Sequence, residues 1–327
     1  MTDIRWGILA TGGIAHAFAK DLRTSGRTIA AVGSRRPESA RQFAQEFGIP
    51  HAHGSYDELV TDPDVDVVYV ASPHSHHCEH AILALEAGKH VLIEKAVTLD
   101  ADEAIAIRDI AAGRGLLAME AMWTRYLPHM VRIREILAQG TLGEVRLVIA
   151  DHTQRLPSDP AHRLNALELG GGALLDLGIY PVSFTWDVLG PMTGVRALGR
   201  LGDTGADTEV AIAATHDSGA LSSIAMSSRA AGPNTAHIIG TEARIDIDRV
   251  WYTPTSFRVT ATDGTVIEEY ASRIDGRGMQ FQALYAEKLL SEGRADSELL
   301  PFEESIAIMA ALDDVRTQLG VRYPKVR

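Results

Sequence analysis

Short apolar runs alternate with amphipathic stretches over the first third of the chain. Runs at residues 6–10, 28–33 and 65–71 are short and mostly apolar, which predicts buried β-strands. Runs at 90–94 and 116–121 have the same character. Between the runs, apolar residues recur at three- and four-residue steps, which predicts helices. The alternation of strand and helix predicts an α/β domain with a doubly wound parallel sheet.

The pattern changes near residue 122. A helical pattern at 129–139 is followed by longer strand patterns, several joined by Gly, Asp or Ser turns such as residues 217–219. Consecutive strands with short turns predict a predominantly antiparallel sheet. Two final helical patterns, 279–291 and 303–319, are expected to cover one face of the assembly. The predicted strands lie at residues 144–153, 195–201, 209–215, 221–227, 235–239, 244–248 and 256–262.

Composition and charge narrow the class of protein. The length of 327 residues fits two domains, which we place at residues 1–122 (α/β) and 123–327 (α+β). A net charge of −12 without a basic run excludes a nucleic-acid partner. The single cysteine, Cys78, excludes a disulfide framework and favours a reducing compartment. No apolar stretch is long enough to cross a membrane, and the first strand pattern already begins at residue 6. We therefore expect a cytoplasmic protein without signal peptide or membrane contact.

The first strand pattern ends in a turn of small residues that opens a helix. This context is typical of a dinucleotide-binding turn, in which a pyrophosphate approaches the amides at the start of the helix. In the G-x-G-x-x-G/A fingerprint the register here is Ala10-x-Gly12-x-x-Ala15, so alanine replaces the first glycine. An ordinary strand-to-helix turn is the alternative. The predicted cofactor-binding residues of this turn are Ala10, Thr11, Gly12, Gly13 and Ile14.

Three residues at the end of the second strand pattern indicate which dinucleotide binds. Ser34, Arg35 and Arg36 begin 22 residues beyond Gly12, where a dinucleotide fold contacts the adenosine ribose. A carboxylate there would repel a 2′-phosphate, whereas a hydroxyl and two guanidinium groups attract it. We therefore predict NADP rather than NAD. The alternative is that the arginines are solvated at the start of a helix.

The next two strand patterns also end in polar residues. The loop Ser72-Pro73-His74 lies at the carboxyl end of a strand, where open α/β sheets bind ligands, so we expect cofactor contact there. The nearby histidines do not have metal-ligand spacing, and we predict no metal site. Lys95 directly follows the strand 90–94, which would direct its amine into the cofactor cleft. A lysine that reaches solvent is the alternative.

One helical pattern of the second domain carries candidate chemistry. It follows residues 170–172, which are all glycine, and it places Asp176 and Tyr180 four residues apart on one face. Gly178 costs about 1 kcal/mol relative to alanine inside a helix, which indicates close packing. The alternative is a core helix in which the tyrosine hydroxyl is satisfied locally.

Together these motifs resemble the glucose–fructose oxidoreductase (Gfo/Idh/MocA) superfamily, and within it the dimeric dihydrodiol dehydrogenases and NADP-dependent D-xylose dehydrogenases. The resemblance rests on the glycine turn, on Glu-Lys-Ala at residues 94–96, on the segment 119–125 and on the helix 171–180. It implies a Rossmann domain followed by an α+β domain with a large, open, predominantly antiparallel sheet that forms homodimers or higher homo-oligomers.

The resemblance also implies roles for individual residues. Tyr180 would be the general acid/base, Lys95 its electrostatic partner and a hydroxyl donor, and Asp176 would orient the lysine or the substrate. Ala96 replaces the family's proline after the lysine, which leaves the placement of that amine open. The implied cofactor-binding residues beyond the glycine turn are Ser34, Arg35, Arg36, Ser72, Pro73, His74, His77, Glu94, Lys95, Trp123 and Arg125.

The chemistry fits oxidation of a secondary alcohol of a sugar or cyclic diol. A tyrosine with a free pKa of about 10 is a poor base at neutral pH, and an adjacent ammonium group favours the tyrosinate. Two alternatives stay open: an oxidoreductase that recycles tightly bound NADP between two sugars, and a non-catalytic NADP-binding sugar sensor.

Overall fold

The computed structural model describes residues 4–324, which form two compact units. Within the described residues, the first unit contains 4–123 and 276–306, and the second contains 124–275 and 307–324. No helix of this part of the chain is both long and apolar enough to cross a membrane.

A six-stranded parallel sheet forms the centre of the first unit, in the order β3-β2-β1-β4-β5-β6. Its central strands are fully buried because their side chains are apolar on both faces. The strands are β1 (Trp6–Leu9), β2 (Ile29–Gly33), β3 (His51–His53), β4 (Val67–Val70), β5 (His90–Glu94) and β6 (Ala118–Ala121). The helices are α1 (Gly13–Thr24), α2 (Pro37–Phe47), α3 (Tyr56–Val60), α4 (His77–Glu86) and α5 (Ala101–Arg114).

The segment 276–306 groups with the first unit, although we assigned it by sequence to the second domain. It contains helix α8 (Gln280–Ser291), whose Glu287 accepts a hydrogen bond from the Trp6 indole at 3.0 Å and pairs with Arg27 at 2.7 Å. At its start, Asp21 accepts the Met279 amide at 2.9 Å. These contacts join residues more than 250 positions apart, which a local pattern does not reveal.

The second unit contains an eight-stranded sheet in the order β14-β13-β12-β11-β7-β10-β9-β8. All neighbouring strands are antiparallel except β7 and β10. The strands are β7 (Val145–Thr153), β8 (Met192–Leu201), β9 (Asp207–His216), β10 (Leu221–Ser227), β11 (Ala236–Gly240), β12 (Ala243–Ile247), β13 (Phe257–Ala261) and β14 (Val266–Tyr270). The other helices after α5 are α6 (Pro128–Ala138), α7 (Ile179–Leu189) and α9 (Phe302–Leu319), the last of which spans both units.

One face of this sheet is buried and the other is exposed. Burial alternates along β10 because successive side chains point to opposite faces. The exposed face carries Ile149, Leu198 and Leu221, and 81% of Leu198 is accessible to solvent.

The predicted fold class is confirmed in both units. Two strands escaped prediction: β3, which is only three residues long and carries two histidines, and β14, an edge strand rich in glutamate. The strand β7 was expected in the antiparallel sheet, but it also pairs in parallel with β10.

Candidate active site

The glycine turn of the first unit leaves room above the start of α1. Ala10 has φ +82°, a left-handed conformation that glycine adopts more easily, so the missing first glycine leaves local strain. A Cβ placed on Gly12 or Gly13 would have no neighbour within 4 Å. No side chain caps the helix, whose first residue is Gly13. The exposed backbone amides are therefore suited to an anion such as a pyrophosphate.

The arginines after β2 are available to an anion. Both Arg35 and Arg36 are exposed, and within residues 4–324 neither forms an ion pair with an acidic side chain. Ser34 is buried and accepts the Arg36 amide at 3.2 Å. The Arg35 guanidinium interacts with Tyr56, where burial raises the pKa of the phenol and the arginine opposes that rise. This strand end thus carries positive charge without a matching carboxylate.

Two histidines of the loop after β4 hold the backbone beside Lys95. His74 Nε2 lies 3.1 Å from the Lys95 carbonyl oxygen. His77 Nδ1 lies 2.9 Å from the Ala96 carbonyl, and its Nε2 lies 2.9 Å from the Ser72 carbonyl. Burial lowers the pKa of His77 to about 4. The loop and the lysine segment are therefore joined through these rings, and the predicted contacts of Ser72, His74 and His77 with a cofactor stay predictions.

The lysine segment itself is largely buried. Only 9% of Lys95 is exposed, and its peptide bond to Ala96 is cis. Glu94 accepts a hydrogen bond from the buried hydroxyl of Tyr69. Pro73 is half-buried at the start of the facing loop. Each of these residues is fixed at the carboxyl end of a parallel strand, the edge where such sheets bind ligands.

Sequence reasoning missed Glu120, which supports the same segment. Its carboxylate accepts the Val97 amide at 3.2 Å and the Ser305 hydroxyl at 2.7 Å, and only 2% of the residue is exposed. An acidic residue inside the apolar strand β6 was the signal that could have found it, because buried charges need partners.

Two groups of possible metal ligands occur within the described residues. His51, His53 and Asp62 form one, and His76, Glu79 and His80 form the other. In the first group both histidines contact the same carboxylate oxygen, Oδ2 of Asp62, at 2.7 and 2.8 Å. The absence of a metal stays a prediction.

In the second unit, the candidate helix begins with a π-helical turn, Leu174–Gly178, which continues as α7. A Cβ on Gly178 would collide with Met226 of β10, which confirms the expected close packing. Asp176 lies in the π turn, 3.5 Å from the Arg163 guanidinium. Tyr180 lies in the first turn of α7 and is 8% exposed. Single π turns are frequent at functional sites.

A buried carboxylate fixes the start of this turn. Asp207 of β9 accepts the Leu174 amide at 2.6 Å, and burial raises the pKa of Asp207 to about 6. The Tyr323 hydroxyl donates to the Gly171 carbonyl at 3.1 Å. Gly172 has φ +143° and lies against Asp207, so a side chain there would displace the cap. Neither Asp207 nor Tyr323 was predicted, because their partners are distant in sequence.

Aromatic residues surround the Tyr180 ring. The His152 ring lies edge-on to it, with centroids 5.0 Å apart, and the Tyr252 ring lies at 5.2 Å. His152 and Tyr252 also contact each other at 3.8 Å. Sequence reasoning missed both, although a histidine at an inward position of a strand is a usable signal.

The segment 123–126 is a 3₁₀ turn that crosses from one unit to the other. Trp123 ends the first unit and is 3% exposed. In the second unit, Arg125 donates to the Ser183 hydroxyl at 3.0 Å and to the Ser183 carbonyl at 2.7 Å, and it lies 3.5 Å from Asp187. Arg125 therefore anchors α7, and the predicted contact of Trp123 and Arg125 with a cofactor is a proposal.

Two family models match the sequence. Residues 4–122 match a family described as "Oxidoreductase family, NAD-binding Rossmann fold". Residues 130–246 match the "GFO/IDH/MocA C-terminal domain".

Similar curated proteins extend over almost the whole chain. The D-xylose 1-dehydrogenase (NADP(+)) of Hypocrea jecorina is 35% identical, covering 99% of this chain and 94% of that protein. The trans-1,2-dihydrobenzene-1,2-diol dehydrogenase of Mus musculus is 34% identical over 98% of both chains.

Solved structures share the fold. KijD10, a 3-ketoreductase from Actinomadura kijaniata in complex with NADP and TDP-benzene, superimposes with a TM-score of 0.84 at 28% identity, over 97% of this chain and 98% of that one. A levoglucosan dehydrogenase in complex with NADH and levoglucosan gives a TM-score of 0.88 at 21% identity, over 99% and 100% of the chains, which shows the fold alone.

Proposed function

This chain belongs to the GFO/IDH/MocA family of oxidoreductases, as its motifs predicted, and on that premise we propose that it is an NADP-dependent dehydrogenase. The proposed reaction moves a hydride between a secondary alcohol of a sugar or cyclic diol and the nicotinamide. The observation that carries the proposal is the identity of about 35%, over nearly the whole chain, to dehydrogenases for such substrates; the resemblance assigns Lys95, Asp176 and Tyr180 to the family's motifs.

The residues present fit the cofactor. Gly12 and Gly13 leave open space at the start of α1, and an extended glycine precedes a helix without a side-chain cap. Arg35 and Arg36 are exposed and have no acidic partner among residues 4–324, which favours a 2′-phosphate over a 2′-hydroxyl. When bound, the nicotinamide supplies the hydride acceptor or donor.

Side chains of the protein are proposed to transfer the proton. We assign the general acid/base to Tyr180, whose phenol oxygen takes the proton of the substrate hydroxyl during oxidation and returns it during reduction. The ammonium group of Lys95 favours the tyrosinate and donates a hydrogen bond to a substrate hydroxyl. Asp176 orients the lysine or a second hydroxyl. Trp123 and Arg125 are proposed to contact the nicotinamide end of the cofactor.

We also propose that the protein is a homodimer, or a higher homo-oligomer, assembled through the sheet of the second unit. The exposed face of that sheet carries Ile149, Leu198 and Leu221, and registered neighbours on this face include alanines that leave it flat. Apolar side chains on an otherwise uncovered sheet face favour association. Light scattering at micromolar concentration would show at least twice the chain mass of 35.3 kDa, and a monomer would contradict the proposal.

The cytoplasm is the proposed location, because the sequence holds a single cysteine, Cys78, and so offers no pair for a disulfide within the chain. Cysteine usage of this kind is typical of proteins in reducing compartments. Fractionation of the producing cells tests this proposal, and recovery from an extracellular or membrane fraction would contradict it.

A substrate screen tests the reaction. Reduction of NADP⁺ would be followed with pentoses, hexoses, inositols and trans-diols, with NAD⁺ in parallel. The proposal requires that the protein oxidise at least one polyol or diol, and that this reaction be faster with NADP⁺ than with NAD⁺. Absence of turnover across the panel would contradict it. Cofactor that survives exhaustive dialysis would instead favour an enzyme that recycles bound NADP.

A further inference from the structure

A cluster of three polar side chains lies beside the Tyr180 ring and has no role in the proposed proton transfer. It consists of His152 and Gln154 on and after β7, together with Tyr252. His152 and Tyr252 each contact the Tyr180 ring, with centroids 5.0 and 5.2 Å away. Gln154 joins the two: its side-chain nitrogen lies 2.8 Å from His152 Nε2 and 3.2 Å from the Tyr252 hydroxyl oxygen.

The orientation of His152 is set by the backbone of the candidate helix. In a helix the Leu177 carbonyl would accept from residue 181, but Pro181 has no N–H. His152 Nδ1 lies 3.0 Å from this carbonyl. Because a carbonyl oxygen only accepts, Nδ1 must carry a proton, and in the neutral form of the imidazole Nε2 then carries the lone pair.

This tautomer in turn sets the orientation of the Gln154 amide. The Gln154 side-chain atom 2.8 Å from this lone pair must be a donor, so it is the amide nitrogen and not the amide oxygen. The same nitrogen donates to the Tyr252 hydroxyl. The amide oxygen Oε1 is consequently fixed as an acceptor, and within residues 4–324 it accepts no hydrogen bond. Gln154 is half-buried, so part of the residue is accessible to solvent.

We propose that Gln154 determines specificity by accepting a hydrogen bond from a substrate hydroxyl other than the one oxidised. The inference rests on the proposed function and narrows its substrate class to polyhydroxylated, sugar-like molecules. If the apolar ring of a substrate covered Oε1, it would exclude water from this oxygen without offering a hydrogen bond in return. The loss of that hydrogen bond makes binding of such a substrate unfavourable. A sugar hydroxyl replaces that water. Sites that hydrogen-bond a hydroxyl discriminate against analogues that lack it.

The test compares one sugar with one apolar diol. D-xylose and trans-1,2-cyclohexanediol would be assayed with NADP⁺ on the wild type and on Gln154→Met, which keeps the length of the side chain and removes the acceptor. We expect the ratio of kcat/KM for the sugar to that for the diol to fall by roughly 3- to 10-fold, mainly through KM for the sugar, as expected for one neutral hydrogen bond. An unchanged ratio would overturn the proposal.

A double-mutant cycle tests whether His152 acts through Gln154. His152→Phe removes the lone pair that orients the amide, so it should lower the same ratio. Since both changes act on one hydrogen bond, the double variant should lose no more of the ratio than Gln154→Met alone. Independent, additive losses would overturn the relay. Any general effect of His152→Phe on Tyr180 cancels in the ratio, and unaltered NADPH binding confirms that each variant is folded.

A measurement of sugar binding that needs no turnover tests the assignment of Gln154 separately from the proposed dehydrogenase function. Saturation-transfer NMR of D-xylose with the NADPH-loaded protein should give a signal in the wild type that Gln154→Met weakens several-fold. If the wild type turns over no compound of the substrate screen, the proposed dehydrogenase function fails, and this binding comparison still decides on Gln154. Equal signals from the wild type and the variant, or no signal from either, would overturn the assignment of Gln154.

Discussion

The Nδ1 atom of His77 lies 2.9 Å from the carbonyl oxygen of Ala96, the residue directly after Lys95. The other ring nitrogen lies 2.9 Å from the Ser72 carbonyl, and 1% of the histidine is exposed. The neutral imidazole has one N–H, so it donates to one of these two carbonyls and lies between the loop after β4 and the segment that carries the candidate catalytic amine. The structure therefore gives His77 a role in the framework, whether or not it also touches a cofactor.

Replacing this histidine should damage both stability and turnover. His77→Phe keeps an aromatic ring but removes the one N–H of the neutral imidazole, so one of the buried Ser72 and Ala96 carbonyls loses its donor, which costs about 1–3 kcal/mol of unfolding free energy. We expect a lower kcat as well, because the Lys95 segment loses a support. Urea denaturation and steady-state kinetics measure both. His76→Phe is the matched control on the same loop and should change stability by less than about 1 kcal/mol; equal losses in the two variants would contradict the account.

The two exposed arginines after β2 should decide between the dinucleotides. Arg35→Ala combined with Arg36→Ala removes the positive charge proposed to hold the 2′-phosphate. NADPH binding should weaken by at least 10-fold while NADH binding changes little, since charge-assisted hydrogen bonds contribute about 1.5–3 kcal/mol each. Fluorescence titration with both cofactors measures the difference. Equal losses for the two would reject the 2′-phosphate assignment.

Ala10 should be a site of stabilisation by glycine. Its φ of +82° costs an alanine about 1–2 kcal/mol, which exceeds the entropic cost of glycine in the unfolded chain. Ala10→Gly is therefore expected to raise the unfolding free energy by about 0.5–1 kcal/mol. Ala17→Gly, within α1, is the control and should lower it by about 1 kcal/mol. A destabilised Ala10→Gly protein would show that the turn is not strained as described.

Asp62 should make stability depend on pH in the acid range. Burial opposes its ionisation, but hydrogen bonds from His53, the Asp64 amide and His51 outweigh burial and lower the pKa of Asp62 from 3.8 to about 2. Because the folded-state pKa is lowered, the stabilisation is present above pH 4 and is lost as the pH falls towards 2. Asp62→Asn should cost about 1–2 kcal/mol at pH 7. The difference in unfolding free energy between Asp62→Asn and the wild type should become smaller between pH 4 and 3. A difference that stays constant over this range would show that the lowered pKa of Asp62 is not its origin.

The sequence predicted the parts of the fold that depend on local pattern. Asp100 immediately precedes α5, and its side chain caps the helix by accepting the Glu103 amide at 2.9 Å. Pro37 is the first residue of α2, a position that proline favours. The strand 221–227 was predicted with the observed bounds. Helix caps, prolines at helix starts and alternating burial each depend on a few neighbouring residues, so they can be predicted from the local sequence pattern.

The supports of the candidate site depend on tertiary contacts and could not be predicted in that way. The Leu174 amide is capped by Asp207, 33 residues later, and Glu120 supports Val97 from a neighbouring strand. Asp207 looks unremarkable in sequence, and Glu120 stands out only as an acidic residue inside an apolar strand. The orientation of His152 depends on a carbonyl 25 residues away. Motif resemblance predicted which side chains carry the chemistry, and the structure identified the residues that support them.

The central claim is that Tyr180 transfers the proton and Lys95 supports it electrostatically. Pre-steady-state turnover with the best substrate of the screen, measured for Tyr180→Phe and Lys95→Met alongside NADPH titration, tests it most directly. The account predicts that each variant loses about 100-fold or more in the rate of hydride transfer while the Kd for NADPH stays within about threefold of wild type. Near-wild-type turnover by either variant would contradict it.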